Sequence, residues 1–234
     1  MCNIKSSSTS FRKAIEKSKQ ESIPSLICLV GPDGTGKSAL ARYVRSELER
    51  KGYKTKYVWM RMNYFLTRPV LLYCRLTGLT RRPVVDGQKI SVHDFYKSKL
   101  IAKAVQILHS ADTILTYIFK AWMPMKLGHR IVICDRFFHD VLVDFMVESR
   151  DFNLLHSRIA KALFSLIPKN SKIFLVKVGK DRIAQRKPEV LRYDECFDLR
   201  DRLYNSIEEY TPIEVIHNNG PLNEAFRNLI RKLM

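Results

Sequence analysis

The stretch SLICLVGPDGTGKSALARYV, residues 25–44, decides the fold because it joins an apolar run to a glycine-rich loop and then to a helical pattern. Gly31, Gly36, Lys37 and Ser38 fit the spacing G-x-x-x-x-G-K-[ST], and the match lies between a strand-like run and the start of a helix, as the motif requires. The alternative interpretation is an ordinary glycine-rich turn. The motif in this context predicts a phosphate-binding loop.

The positions of this loop have distinct physical tasks. Glycines let the backbone approach phosphate oxygens, and successive N–H groups at the helix start form an anion-binding nest. We expect Lys37 to place its charge beside the β and γ phosphates of ATP, and Ser38 to ligate Mg²⁺. The residues predicted to bind the nucleotide here are Gly31, Asp33, Gly34, Thr35, Gly36, Lys37, Ser38 and Ala39.

Asp33 lies immediately before Gly34, the second glycine of the loop. From that position a carboxylate is able to face a second substrate instead of the nucleotide phosphates. The alternative is a structural aspartate that forms a turn with its own backbone. Asp33 is therefore also a candidate contact to the substrate.

Four more apolar, β-branched runs are separated by helical patterns, which is typical of buried parallel strands. With the run before the loop, they predict an α/β fold with a three-layer, doubly wound, five-stranded parallel sheet, the phosphate-loop nucleoside triphosphate hydrolase fold. The four runs lie at residues 55–60, 130–135, 172–178 and 213–218.

The chain has 234 residues, of which 46% are hydrophobic, and this is enough for one well-packed domain. We expect one domain over residues 24–234, with a helical insertion at about 62–128 and a lid at about 180–195. Residues 1–23 are expected to form a flexible extension. They lack the apolar core of a signal peptide, and no window of eighteen residues is apolar and uncharged, so a cytoplasmic protein is predicted.

The formal net charge of +18 favours anionic partners such as polyphosphates, nucleic acid or an acidic membrane surface. Part of this charge lies in residues 61–82, which contain five arginines and no acidic residue. Three interpretations of that segment remain open: a part of an acceptor pocket, an amphipathic patch that faces a membrane or a polyanion, or a basic surface over the core. Pro69 is expected to interrupt a helix along which Arg61, Arg68 and Arg75 would align.

Asp135 and Arg136 end the third apolar run. In doubly wound sheets the carboxyl ends of the strands line the ligand crevice, so both side chains should open toward the phosphates. Asp135 is then a candidate ligand of Mg²⁺, and Arg136 is a candidate for bidentate binding of an acceptor phosphate. The alternative is an ordinary ion pair at a strand end.

These motifs resemble the thymidylate kinase-like branch of the nucleoside monophosphate kinases. The resemblance rests on GPDGTGKS at 31–38, on CDRFF at 134–138, and on the order of strands and helices from about residue 25 onward. It implies that Asp33 contacts the nucleoside sugar, and that Asp135 and Arg136 organise magnesium and the acceptor phosphate.

The same resemblance implies a role for Arg61, which follows the second strand and is similar to an arginine that faces the acceptor phosphate in this family. It also implies a homodimer. Two segments depart from the family pattern: RMNYFLTRPVLLYCRLTGLTRR, residues 61–82, replaces the Arg-Glu-Pro-Gly-Gly run, and FFHDVLVDF, residues 137–145, lacks the Ser…Ala-Tyr-Gln segment. In this family both segments shape the acceptor pocket, so the resemblance supports kinase chemistry better than thymidylate specificity.

The segment after the fourth strand is predicted to be a cationic lid. Arg182 and Arg186 lie four residues apart on a short helix, where closing arginines would neutralise the transferred phosphoryl group and exclude water. A solvated basic helix is the alternative. In the loop after the fifth strand, His217 or Asn218 is a candidate neighbour of the nucleotide base, although a simple turn explains that loop equally well.

Together these features predict an enzyme that transfers the γ-phosphoryl group of Mg-ATP to a phosphate acceptor, most simply dTMP. A second hypothesis keeps the machinery but changes the acceptor to a nucleoside, a sugar phosphate or a lipid-linked phosphate. A third is a nucleotide-switched protein that binds nucleic acid or membrane, and it is disfavoured because Arg136 occupies the position where many phosphate-loop ATPases have a water-activating glutamate. Contact with a membrane or nucleic acid through the basic surface is possible but not expected.

Overall fold

The computed structural model describes residues 23–61 and 64–233. The predicted extension over residues 1–23 lies outside the described residues except for residue 23. The described chain begins with strand β1 (Leu26–Val30), continues through the phosphate loop into helix α1 (Lys37–Arg50), and returns in strand β2 (Thr55–Trp59). Helix α1 packs its buried Leu40, Val44 and Leu48 on the sheet, so the apolar periodicity predicts its inner face correctly.

The segment between β2 and the next strand of the main sheet contains both helices and short strands. Its helices are α2 (Arg68–Leu76), α3 (Lys99–Tyr117), a π-helical segment (Ile118–Trp122) and α4 (Met123–Leu127). Two antiparallel pairs are added, β3 (Thr80–Arg81) with β6 (Val92–His93) and β4 (Val84–Val85) with β5 (Gln88–Lys89). Strands of two residues are too short to produce an alternating sequence pattern, so only the helices were predicted.

As predicted, no single helix aligns Arg61, Arg68 and Arg75 across Pro69. Instead α2 begins at Arg68, and Pro69 lies in its first turn, where the missing N–H has no partner to lose. Arg61 precedes the helix and belongs to the end of β2.

The remaining elements complete a layered α/β unit. They are β7 (Ile131–Asp135), α5 (Phe138–Ser149), α6 (Arg158–Ser165), β8 (Ser171–Lys177), α7 (Lys180–Arg186), α8 (Pro188–Tyr193), α9 (Phe197–Ile207), β9 (Glu214–His217) and α10 (Leu222–Leu233). The predicted strand limits agree with these bounds to within one residue.

The main sheet has the strand order β2-β7-β1-β8-β9, and all its pairings are parallel. Side chains of β1 alternate between two apolar layers: Leu26 and Cys28 face α5 and the insertion, whereas Ile27 and Leu29 face α1 and α10. This arrangement confirms the predicted three-layer fold. The carboxyl ends of β1, β2 and β7 meet at one edge, which is where the phosphate loop, Arg61 and Arg136 lie.

Within the described residues, no helix combines the length and the apolar character that crossing a bilayer requires.

Candidate active site

The phosphate loop requires glycine at Gly31 and Gly36 for two separate reasons. Both have positive φ angles, 134° and 93°, which side chains with a Cβ rarely adopt. A Cβ at Gly31 would also lie 2.7 Å from the carbonyl oxygen of Val176, and one at Gly36 would lie 2.6 Å from Nδ2 of Asn218. The loop therefore fits closely between β8 and the segment after β9, as a rigid backbone cradle must.

Lys37 begins α1 and is buried beneath this loop. Its ammonium donates to the carbonyl of Pro32 and lies 3.5 Å from Oγ1 of Thr35. Burial lowers the pKa of Lys37 to about 8, while Asp140 and Asp135 act in the opposite direction. A buried cation without a full counter-charge is well placed to receive anionic phosphate oxygens.

Asp33, Arg61 and Arg136 form a cluster at the mouth of the loop. Nη1 of Arg61 donates to Oδ2 of Asp33 at 3.0 Å, and Arg136 forms an ion pair with Oδ1 of the same carboxylate. The two arginines come from the ends of β2 and β7 and converge on one carboxylate beside the predicted phosphate site. Two guanidinium groups in this arrangement are able to hold a phosphate bidentately.

Arg136 has a left-handed backbone conformation, with φ at 70°. This conformation is costly for a residue with a Cβ and needs support from its surroundings. Asp140, which is 1% exposed, supplies it by accepting four hydrogen bonds. The donors are the N–H of Phe137 at 2.8 Å, the N–H of Gly31 at 3.3 Å, Nη1 of Arg136 at 3.3 Å and the hydroxyl of Tyr204 at 2.7 Å.

Asp140→Asn is expected to lower the free energy of unfolding by about 2–4 kcal/mol. The amide nitrogen of asparagine cannot accept the hydrogen bonds that the carboxylate oxygen in its place accepts. Urea unfolding at pH 7 measures this change. The exposed Glu209→Gln is the control and should shift stability by less than about 0.5 kcal/mol. Equal stability of the two variants would contradict the structural role assigned to Asp140.

Asp135 ends β7 and is buried beside Lys37. Its Oδ2 accepts a 2.7 Å hydrogen bond from the hydroxyl of Tyr57 on β2. Burial and this contact raise the pKa of Tyr57 to about 12. Among the described residues, no group of three or more His, Cys, Asp and Glu side chains forms a metal cage. One carboxylate and the hydroxyl of Ser38 nevertheless fit Mg²⁺, which usually takes few protein ligands together with substrate phosphates and waters.

Helices α7 and α8, which lie in the segment predicted to be a lid, are packed directly on the phosphate loop. A Cβ at Gly34 would be 3.1 Å from Cγ2 of Ile183 and 3.5 Å from Cγ2 of Val190, and these two side chains form a small apolar cluster with Phe197. The segment predicted to be a lid is therefore held against the phosphate loop by buried contacts.

The two predicted lid arginines do not reach the cluster formed by Asp33, Arg61 and Arg136. Arg186 donates to the carbonyls of Asn218 at 2.9 Å and Gly220 at 2.8 Å, and Arg182 donates to Oε1 of Gln185 at 3.2 Å. Arg186 thus binds the loop after β9, and its predicted role over the transferred phosphoryl group would require it to leave these carbonyls.

Asn218 is buried against the phosphate loop. Its Nδ2 donates to the carbonyl of Thr35 at 2.9 Å, and its Oδ1 has no hydrogen-bond partner among the described residues. The side chain therefore holds the loop backbone in position, and its unpaired oxygen is a polar group that a bound ligand or water would satisfy. Its predicted contact with the nucleotide base stays a prediction.

No protein-family model and no curated protein matches this chain. Among solved structures, a thymidylate kinase from Ehrlichia chaffeensis is similar, with a TM-score of 0.54 and 16% sequence identity. The match covers 89% of this chain and 98% of that chain. The chain has a thymidylate kinase-like fold. The resemblance predicted from GPDGTGKS and CDRFF is therefore confirmed at the level of the fold.

On this thymidylate kinase-like fold, α5 presents three carboxylates that the sequence analysis missed. Asp140, Asp144 and Glu148 recur at intervals of four residues, so they share one face of the helix. Asp144 forms ion pairs with Arg200 of α9 and, at 3.6 Å, with Arg61. The sequence signal for these three residues is the i, i+4, i+8 spacing of acidic side chains soon after Asp135.

The protonation states of two of these carboxylates differ because their neighbours differ. Burial alone would raise the pKa of Asp144, but Arg61 and Arg200 hold it below its usual value. Burial, and then the charge of Asp144, raises the pKa of Glu148 to about 8. The α5 face therefore combines one carboxyl group whose ionised form is favoured with one whose protonated form is favoured.

Proposed function

We propose that this protein is an ATP-dependent phosphotransferase that passes the γ-phosphoryl group of Mg-ATP to a nucleoside monophosphate, most simply converting dTMP to dTDP. The observation that carries this proposal is the convergence of Arg61 and Arg136 on Asp33, next to a phosphate loop with a buried lysine. A cationic pair at the end of a nucleotide cradle suits an anionic acceptor, whereas water as the acceptor brings no negative charge for the pair to bind.

The chain's own residues supply positioning and charge in this reaction. Lys37 and the loop N–H groups hold the β and γ phosphates, and Arg61 and Arg136 exchange the carboxylate of Asp33 for the acceptor phosphate. The acceptor oxygen is already ionised, so no residue has to remove a proton. Ser38 and Asp135 would hold Mg²⁺, which supplies charge neutralisation between the phosphates when it is bound.

The name of the structural neighbour, thymidylate kinase, supports a nucleotide acceptor. The residues around the cluster of Asp33, Arg61 and Arg136 are also compatible with a different acceptor. Asp144 and Glu148 form a polar wall next to Arg61, and Asp144 lies in one of the segments that depart from the family pattern. A nucleoside, a sugar phosphate or a lipid-linked phosphate is the second candidate acceptor. A nucleotide-switched binding protein is a weaker candidate.

The experiment that tests the proposal is ADP release from Mg-ATP in the presence of dTMP, other nucleoside monophosphates, nucleosides and sugar phosphates. We expect dTMP to stimulate ADP release by at least about 10²-fold over slow hydrolysis, because transfer depends on an acceptor that the arginine pair orients. Stimulation by another member of the panel would keep the phosphotransferase and replace the acceptor. Fast hydrolysis that no acceptor changes would contradict the proposal.

A further inference from the structure

The insertion between β2 and β7 exposes an unusual amount of apolar surface. The described residues expose sixteen large apolar side chains, and twelve of them lie between residues 65 and 127. Contiguous exposed apolar surface on a folded domain usually marks a contact with a partner or a membrane.

The same segment is strongly basic. Residues 61–130 contain twelve lysines and arginines but only three aspartates. Each aspartate is engaged within the molecule: Asp86 pairs with Arg192 of the lid, Asp94 pairs with Arg81 and Lys97, and Asp112 is 2% exposed. The outer surface of the insertion helices therefore combines apolar groups with cations.

Helix α2 shows this combination on one side. Arg68, Leu72, Arg75 and Leu76 follow the helical repeat and are all exposed, with Leu76 at 79%. Just before the helix, Phe65 is 75% exposed. Arginine and large apolar side chains thus point outward together.

The longer helix α3 and its continuation to α4 carry a second stripe of the same kind. Its exposed apolar side chains recur along one side of the helix, at Leu100, Ile107, Leu115, Phe119 and Trp122. Exposed lysines flank the stripe at Lys99, Lys103, Lys120 and Lys126. Lysine, tryptophan, phenylalanine and leucine in this pattern are typical of helices that lie in a membrane interface.

The carboxylate of Asp112 joins the two stripes. It accepts from the backbone N–H groups of Phe65 and Leu66 at 2.9 and 2.8 Å, so the start of α2 is fixed against α3. Leu115 follows Asp112 by three residues on the same side of α3, and Phe119 follows by seven residues in the π-helical segment. We call the two stripes together the insertion surface.

We propose that the insertion surface binds peripherally to membranes that contain anionic lipids. Lipid headgroups supply the negative charge that its arginines and lysines require, and the acyl boundary accepts its leucine, phenylalanine and tryptophan side chains. A second copy of the same surface would place cations against cations. Nucleic acid would satisfy the charge but would leave the aliphatic side chains in water. The proposal is independent of the identity of the phosphate acceptor.

The test is co-sedimentation of the full chain with phosphatidylcholine vesicles, with and without phosphatidylserine, at low and high salt. Two double variants on α2 separate the cationic from the apolar side chains of the surface: Arg68→Glu with Arg75→Glu, and Leu72→Glu with Leu76→Glu. We expect binding only when phosphatidylserine is present, weakening at high salt, and a loss of about tenfold or more in each double variant.

Matched controls separate the surface from general charge effects. Phe152→Glu is an exposed apolar substitution outside the insertion, and Arg231→Glu is an exposed charge reversal on α10. Both should bind vesicles within about twofold of the natural chain if the insertion surface is the contact. Circular dichroism checks that every variant is folded.

Three results would overturn the proposal. The first is binding that does not depend on phosphatidylserine, and the second is an equal loss in the control variants. The third is light scattering that shows a dimer which the Leu72→Glu, Leu76→Glu variant dissociates, with no vesicle binding by the natural chain. That last result would assign the surface to self-association.

Discussion

Lys37→Ala is expected to lower the rate of phosphoryl transfer by about 10²–10³-fold and to leave the fold intact. The buried ammonium of Lys37 is the cation that the chain places beneath the phosphate loop, within reach of the carbonyl of Pro32. Without it, the charge that develops on the β and γ phosphate oxygens in the transition state loses its fixed partner. The effect should appear in kcat, since the interaction strengthens as the reaction proceeds.

The stability expected for Lys37→Ala follows from the direction in which the pKa of Lys37 is shifted. The pKa of Lys37 is lowered to about 8 because burial disfavours its charged form. Below pH 8 the folded state bears the cost of that buried charge, and the cost falls as the pH rises above 8. Removing the ammonium at pH 7 therefore should not destabilise the domain.

Lys37→Ala is measured by ADP release under saturating acceptor and by thermal unfolding at pH 7. Lys161→Ala removes an exposed lysine from α6 and is the matched control for both measurements. Full activity of Lys37→Ala would reject the assignment of the phosphate loop. Loss of activity together with unfolding would instead show that Lys37 has a structural role.

The strands and the phosphate loop could be predicted from sequence because their signals are local. The apolar run Leu26–Val30 is followed at once by Gly31, whose positive φ and close approach to Val176 admit only glycine. Such a pattern predicts both the strand and the loop that follows it. The same applies to β7, where Asp135 and Arg136 follow a fully buried run.

The partners within the site could not be predicted in this way. Asp33, Arg61 and Arg136 come from three segments, and their contact depends on the order of β2, β7 and β1 in the sheet. The sequence identified each of these three residues as a candidate. It gave no reason to expect that both arginines would bind the carboxylate of Asp33. The hydrogen bonds that Arg186 donates to the carbonyls of Asn218 and Gly220 likewise depend on packing between the predicted lid and the loop after β9.

The α5 carboxylates were missed for a different reason. The segment from Phe137 to Phe145 lacks the family pattern and instead begins a period of four that runs through Asp140, Asp144 and Glu148. The departure from the pattern is itself informative, since it replaces family residues by a charged face that binds Arg61 and Arg200.

Arg136→Ala is expected to lower kcat/KM for the acceptor by about 10²–10³-fold while changing the dissociation constant of ATP by less than about threefold. The guanidinium of Arg136 points to Asp33 and Asp140 at the mouth of the loop, whereas the contacts of Lys37 lie inside it. Losing a bidentate, charge-assisted contact affects the acceptor phosphate, and the nucleotide cradle remains. Loss of ATP binding with unchanged acceptor kinetics would contradict this assignment.

Arg136→Gly separates the side chain from the backbone at the same position. The φ angle of 70° is costly for both arginine and alanine but not for glycine, so Arg136→Gly should be more stable than Arg136→Ala by about 1 kcal/mol. Both variants lack the guanidinium and should lose acceptor kcat/KM equally. If kcat/KM for the acceptor instead falls in proportion to the loss of stability in the two variants, Arg136 acts on the reaction through the fold. If kcat/KM is equal in the two variants while their stabilities differ, the guanidinium itself holds the acceptor phosphate.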